Sequence, residues 1–205
     1  MRRRVLIGIG LLLVLAVGIV LLLQALAPPT TDVTLRDCVR ADAENCLRLP
    51  SITGENLDGE TVRLPDELST DYALIVMPFD REQQEAAVEW LPLFQELSAD
   101  YGDMAYYSLA PLVVNVPFRS LVTGGLNLAV REPAVRSAVV IAFVAEADQQ
   151  QILQALAAED AGTIQVLLID RMGQVLWRGV GSYDAALAVE LREALAARLS
   201  EHAIP

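Results

Sequence analysis

The sequence predicts an α/β domain, a mixed sheet flanked by helices, preceded by one N-terminal transmembrane helix. Three observations support this prediction. Residues 5–27 are almost entirely apolar. Beyond them, short apolar runs typical of buried strands alternate with segments of helical periodicity. The last two strand-like segments flank a short turn, which indicates an antiparallel pair completing the sheet.

The apolar segment 5–27 carries no charge and directly follows three arginines. About 20 apolar residues in a helix span the hydrocarbon core of a bilayer, and flanking arginines stay on the cytoplasmic side. We therefore expect a single-pass anchor in the cell (inner) membrane, with residues 1–4 cytoplasmic and the domain outside. The alternative is a signal peptide cleaved after 25–27, but the length of the apolar run and Pro28-Pro29 favour an uncleaved anchor.

The composition of the chain argues against some classes of binding partner. Its 205 residues suit one globular domain plus the anchor. The formal net charge is −12, and all the basic residues are arginine. An acidic chain without basic patches argues against nucleic acid binding and against attachment to anionic lipid. We expect a membrane location and a protein partner, and we infer no small-molecule substrate.

Residues 28–49 form a linker that contains both cysteines, Cys38 and Cys46. In an oxidising compartment, two cysteines at short separation favour a disulfide. A loop this small contributes roughly 2–3 kcal/mol in the chain-entropy model. We interpret the bridge as structural. A cycling redox pair is disfavoured because the spacing is not C-x-x-C and no helix N-terminus lowers a thiol pKa; two free thiols are the third alternative.

The first part of the domain is predicted to be a hairpin with turns at 54–56 and 58–59. The apolar run 72–79 predicts a strand buried on both faces. Asp80 is then expected to cap a helix, with Gln83 at the capping-box position. We expect Pro92 to kink this helix by removing a backbone hydrogen bond.

The later elements follow the same periodicity. The segment 121–130, LVTGGLNLAV, lies outside any clear element because Gly124-Gly125 is expected to break a helix over 118–122. We interpret this segment as a buried loop; a partner-binding or membrane-facing flap is the alternative. Further strands are predicted at 104–109, 138–144, 163–170 and 174–178, and further helices at 148–158 and 183–199.

Two local sequences carry a resemblance to a known superfamily. GENLDGETVRLPDEL, at 54–68, is similar to the segment that opens redoxin domains. VLLIDRMGQVLWRGVG, at 166–181, resembles the last strand pair of those domains. Over residues 50–200 the chain therefore resembles the thioredoxin-like superfamily, with 201–205 left as a tail.

The chain departs from the redox-active members of that superfamily at two places. Those members carry C-x-x-C between the strand and the helix, whereas residues 80–87 read DREQQEAA. They also place a cis-proline before the penultimate strand, whereas 162–164 contains no proline. The resemblance thus implies the fold without its redox chemistry.

A weaker resemblance points to the thioredoxin-like assembly factors of ATP synthase. In that family a strand ending in Leu-x-Asp precedes a glycine turn, a tryptophan-bearing strand and a glycine. The resemblance implies a membrane-linked assembly helper without catalytic cysteines. The matching residues here are Leu168, Asp170, Gly173, Trp177 and Gly181.

Four residues are candidates for partner binding: Asp80 and Arg81 at the former active-site corner, and the Gly124-Gly125 pair. Helix capping is the simpler interpretation of Asp80, and ordinary solvation is the simpler interpretation of the neighbouring Glu82. The sole histidine, His202, lies near the C-terminus. It leaves no positioned base and no histidine-based metal site, so we predict no catalytic, cofactor-binding or metal-binding residue.

We therefore expect a non-enzymatic role as assembly factor or scaffold for a membrane complex. One alternative is a thiol-disulfide oxidoreductase that uses Cys38 and Cys46. Another is a permanent accessory subunit of a respiratory or photosynthetic complex.

Overall fold

The strands form a seven-stranded mixed sheet in the computed structural model, which describes residues 46–102 and 104–202. Their order across the sheet is β2-β1-β5-β4-β3-β6-β7. The β3–β4 and β4–β5 pairs are parallel and the other pairs antiparallel. The strands are β1 (Ile52–Asn56), β2 (Thr61–Leu64), β3 (Tyr72–Met77), β4 (Met104–Leu112), β5 (Val139–Phe143), β6 (Gln165–Asp170) and β7 (Val175–Val180).

Helices connect and cover these strands. A 3₁₀ turn, Val116–Phe118, leads into the third helix. The helices of the described residues are α1 (Gln84–Val88), α2 (Leu91–Tyr101), α3 (Arg119–Ala129), α4 (Pro133–Ala138), α5 (Glu146–Ala155) and α6 (Ala185–His202). The sequence-based prediction of a mixed α/β sheet with flanking helices is confirmed.

Strand β3 lies inside the sheet, between β4 and β6, and all six of its residues are buried. It pairs in parallel with β4, Tyr72 opposite Met104. It pairs antiparallel with β6, so that Tyr72 lies opposite Asp170 and Met77 opposite Gln165. A strand covered on both faces needs no polar side, which explains its continuous apolar run.

Two hydrophobic clusters hold the helices against opposite faces of the sheet. One cluster contains Ile75 and Leu167 from the strands with Ile152 and Leu153 of α5. The other surrounds Trp90, which is fully buried and donates its indole N–H to the Gly181 carbonyl at 3.1 Å. Because a buried indole N–H needs an acceptor, this bond supports the packing as well as satisfying the ring. The helical members of the second cluster include Phe94, Leu97, Leu191 and Leu195.

Both hairpins are confirmed, but one predicted turn is wrong. Strands β1 and β2 turn at Asp58-Gly59, and β6 and β7 turn at Gly173. The expected turn at 54–56 is strand: Gly54 pairs with Val62 inside β1. A Cβ on Gly54 would lie 2.7 Å from the Ile141 carbonyl oxygen, so glycine here permits close approach of β5.

The helix after β3 also differs from the prediction. Pro92 does not kink one helix; it lies in the first turn of α2, where its missing N–H removes no intrahelical bond. The N-cap residue of α1 is Gln83 and not Asp80, although Asp80 accepts a hydrogen bond from the Gln83 backbone N–H at 3.0 Å. The Gln83 side chain, however, accepts from Phe79 rather than from the backbone of Asp80.

The interpretation of 121–130 as a buried loop is wrong. Helix α3 runs from Arg119 to Ala129 through both glycines, and none of its residues is buried. Each helical glycine costs roughly 1 kcal/mol relative to alanine. Packing offsets this cost, because Val122 and Leu126 contact a small cluster formed by β4 and β5.

The predicted membrane anchor is not tested by this structure. Within 46–102 and 104–202, no helix is long and apolar enough to cross a membrane. The predicted span, 5–27, lies outside the described residues, as does residue 38 of the linker. The anchor and the boundaries of the linker stay predictions.

The two classes of glycine predict opposite responses to alanine. Gly54→Ala should lower the free energy of unfolding by about 1–3 kcal/mol, because the new methyl group overpacks against β5. Gly124→Ala meets nothing within 4 Å and should raise it by about 0.5–1 kcal/mol, through helix propensity. Urea unfolding followed by tryptophan fluorescence measures both. Destabilisation by Gly124→Ala would contradict the assignment of α3.

Candidate functional site

The corner at residues 80–87, where redox-active members of the resembled superfamily carry C-x-x-C, follows the carboxyl end of β3. Asp80, Arg81 and Glu82 are exposed there. The carboxylate of Asp80 is engaged locally, with the Gln83 backbone N–H. Gln83 in turn accepts from the Phe79 N–H at 2.8 Å and donates to the Ala161 carbonyl at 2.6 Å. These bonds tie the corner to the loop before β6.

An apolar groove of about 390 Å³ lies between this corner and α3. It brings together Arg81 and Gly125, two of the four candidate residues; Asp80 and Gly124 do not line it. Apart from Arg81 and Gln84, every lining residue is apolar. The groove is lined by Arg81, Gln84, Leu112, Phe118, Leu121, Val122, Gly125, Leu126 and Ala129.

Large apolar side chains continue from the groove onto the outer surface of α3. Leu121 and Leu128, two helical turns apart on one face, are 70% and 77% exposed. Phe118 and Val116, just before the helix, are also exposed. Patches of exposed apolar side chains often mark interaction sites, whereas single exposed apolar residues are common on any protein. We call the exposed side chains Val116, Phe118, Leu121 and Leu128 the α3 patch.

Gln84 is a groove residue that the sequence reasoning missed. Its side-chain Nε2 is buried and has no hydrogen-bond partner among the described residues. It is the first residue of α1, three positions after Arg81. That position was readable in the sequence, but the opposing wall formed by α3 was not.

The groove wall around α3 differs in charge from the rest of the chain. No aspartate or glutamate occurs from Met104 to Arg131, although the whole chain carries a net charge of −12. Arg119 holds the start of α3: its guanidinium lies 5.1 Å from the Phe143 ring centroid, and its Nε donates to the Val114 carbonyl. The wall is therefore apolar with isolated positive charges.

The cysteine of the described residues lies away from this corner. Cys46 is disulfide-bonded, and its sulfur accepts a hydrogen bond from Gln174 Nε2 at 3.7 Å. Gln174 follows the β6–β7 turn, beside Asp170. Because β3 and β6 are antiparallel, that turn is at the opposite end of the sheet from the corner. Cys38 lies outside the described residues, so its pairing with Cys46 stays a prediction.

The remaining chemistry-bearing groups do not add to the groove. Within the part of the chain that the structure describes, no group of three or more His, Cys, Asp or Glu residues is placed to hold a metal. Burial raises the pKa of the Tyr107 hydroxyl in β4, and a hydrogen bond to Glu96 raises the pKa of Arg192. Neither residue lines the groove. His202 ends α6.

Comparison with known proteins identifies the fold. No family model and no curated protein sequence matches the chain. BsSco, a member of the Sco family of cytochrome c oxidase assembly proteins, matches with a TM-score of 0.53 and 15% identity, over 73% of this chain and 94% of its own. An Aquifex aeolicus protein described as a candidate electron transfer protein matches with a TM-score of 0.50 and 13% identity, over 73% and 94%.

A further similar structure is the thioredoxin domain of a thiol-disulfide oxidoreductase from Bacteroides vulgatus, with a TM-score of 0.44 and 16% identity, over 70% of this chain and 94% of that one. At 15% and 13% identity, the matches to BsSco and to the Aquifex aeolicus protein identify the fold and not the activity. The chain has a thioredoxin-like fold, as its sequence motifs imply.

The two neighbouring glutamines of the corner predict opposite effects on stability. Gln83→Leu should lower the free energy of unfolding by about 1–3 kcal/mol, because it leaves Phe79 N–H and the Ala161 carbonyl without their partner. Gln84→Leu removes a buried donor that has no partner. It should leave stability unchanged or raise it by about 1 kcal/mol. Urea unfolding of the two variants measures both effects. Equal losses of unfolding free energy would contradict the hydrogen bonds described for Gln83.

Proposed function

We propose that this thioredoxin-like chain is a membrane-anchored, extracytoplasmic protein that acts without redox-active cysteines, as an assembly factor or scaffold for a membrane complex. The observation that carries the proposal is the apolar groove at the corner, continued by the α3 patch. The groove is the docking site for a partner protein of that complex.

The groove is suited to binding rather than to chemistry. Its lining consists of aliphatic and aromatic side chains, one glutamine, one arginine and a glycine. None of these can act as a nucleophile or as a general base at neutral pH. Residues 80–87 contain no cysteine, so thiol chemistry is also missing at this corner.

The partner that fits is the apolar surface of another protein. Fully burying an exposed leucine side chain contributes about 1.5–3 kcal/mol, and Leu121 and Leu128 are both largely exposed. Interfaces commonly depend on a few such apolar anchors surrounded by polar residues. Arg81 at the groove edge provides the polar contact that orients the partner.

The fold does not choose between assembly and redox roles. The similar structures include both a member of a family of assembly proteins and a thiol-disulfide oxidoreductase. The residues of this chain favour the first role. Its corner lacks cysteine, and Cys46 lies at the far end of the sheet, where a bridge would fasten the chain before β1.

The proposal is tested by two substitutions that introduce negative charges into the α3 patch. Leu121→Asp with Leu128→Asp should remove the full-length chain from any larger particle in gently solubilised native membranes, because two charges would be buried without partners. Both side chains are exposed, so the fold should be retained. Native-gel mobility and the composition of the particle measure the effect.

Val189→Asp is the matched control, since Val189 is an exposed apolar residue on α6, outside the groove. It should leave the particle intact. A particle that survives the double substitution would refute docking at α3, and a wild-type chain that runs as a lone monomer would refute the complex itself. Fixed stoichiometry in a mature complex would indicate a permanent subunit rather than an assembly factor.

A further inference from the structure

A second, polar pocket of about 290 Å³ lies between the loop after α5 and the ends of β6 and β7. It shares no lining residue with the apolar groove. It is at the same end of the sheet as the corner, because Gln165 pairs with Met77 at the end of β3. The pocket is lined by Ala157, Ala158, Glu159, Asp160, Thr163, Gln165, Arg178 and Val180.

Gln165 supplies the pocket with an unused acceptor. The residue is only 3% exposed. Its Nε2 donates to the Thr163 carbonyl at 3.3 Å, whereas its Oε1 is buried and has no partner among the described residues. An unmet buried acceptor costs about 1–3 kcal/mol. Because this oxygen has almost no accessible surface, a ligand recovers that cost when a rotation of the Gln165 side chain brings the oxygen to the pocket.

The cationic residue of the pocket is already engaged. Arg178 Nη1 donates to the Leu156 carbonyl and, at 3.0 Å, to the Ala157 carbonyl. These bonds fix the loop that forms one wall, in which Ala157 has a positive φ of 49°. Arg178 thus shapes the pocket, and its Nη1 donates no hydrogen bond to Gln165 Oε1.

Two carboxylates complete the set of acceptors. Glu159 and Asp160 line the pocket, and neither is in an ion pair with another described residue. Asp160 Oδ1 accepts from the Gly162 N–H at 2.7 Å, which orients that side chain. The two carboxylates outnumber the one guanidinium of the pocket, that of Arg178. Together with the amide oxygen they call for a compact cation with several donors. A primary ammonium group has three donors and no acceptor.

We propose that this pocket binds a primary ammonium group of another molecule. The sequence contains no lysine, so none of its side chains supplies such a group. In this proposal the ammonium is a lysine side chain or an N-terminal amine of a partner protein. This inference is independent of the apolar groove and would stand if docking at α3 failed.

The test titrates n-butylammonium, n-butylguanidinium or n-butanol into the full-length chain in detergent, labelled with ¹⁵N-glutamine. The Gln165 side-chain amide, assigned by its loss in Gln165→Met, is the NMR reporter. We expect a saturable shift with n-butylammonium and none with n-butanol. Glu159→Gln with Asp160→Asn should weaken binding at least about tenfold, which corresponds to about 1.4 kcal/mol.

Glu190→Gln with Glu193→Gln, on the exposed face of α6, is the matched control and should leave binding unchanged. An N-acetylated lysine peptide and a lysine-free peptide with a free N-terminus identify the source of the amine. The absence of a saturable shift would mean that water alone fills the pocket and would overturn the proposal. Equal responses to n-butanol, or tighter binding of n-butylguanidinium, would overturn it as well. If the double variant fails to fold, Glu159→Gln alone carries the same expectation with a smaller loss.

Discussion

The central constraint on this molecule is the burial of β3 on both faces and along both edges. Its parallel pairing with β4 and its antiparallel pairing with β6 put the corner at one end of the sheet and the β6–β7 turn at the other. The apolar groove and the polar pocket consequently both lie at the corner end. Cys46 lies at the opposite end, with Gln174.

The groove exists because α3 is held beside the corner without being buried. Val122 and Leu126 anchor the helix on the sheet, and Arg119 fixes its first turn over Phe143. Leu121 and Leu128 are left facing outward. An exposed apolar helix next to a corner without cysteine agrees with the docking role proposed above.

The strands were predictable because a strand that is buried on both faces has a continuous run of apolar residues, as in 72–77. The glycines were not. The local sequence predicts a turn at Gly54, but this residue lies in β1 because β5 approaches closely there, and that contact is long-range. The local sequence predicts a helix break at Gly124, but tertiary packing of the neighbouring residues outweighs the low helix propensity of glycine.

The candidate site was predictable only in part. Arg81 and Gly125 were identified, and the structure puts both in the groove. Gln84 was missed because its importance comes from a buried, unpaired Nε2, which depends on the opposing helix. The polar pocket was missed for the same reason: Gln165 and Glu159 meet only when the loop after α5 folds back on β6. Local sequence patterns report a strand or a helix, whereas a pocket depends on which elements meet.

The most direct measurement is carbene footprinting of the full-length chain in native membranes and after purification in detergent. The account predicts that labelling of Leu121 and Leu128 is severalfold lower in native membranes, because a partner covers the α3 patch there. Labelling of Val189, exposed on α6, should be the same in both. Equal labelling of the α3 patch in the two preparations would contradict the account.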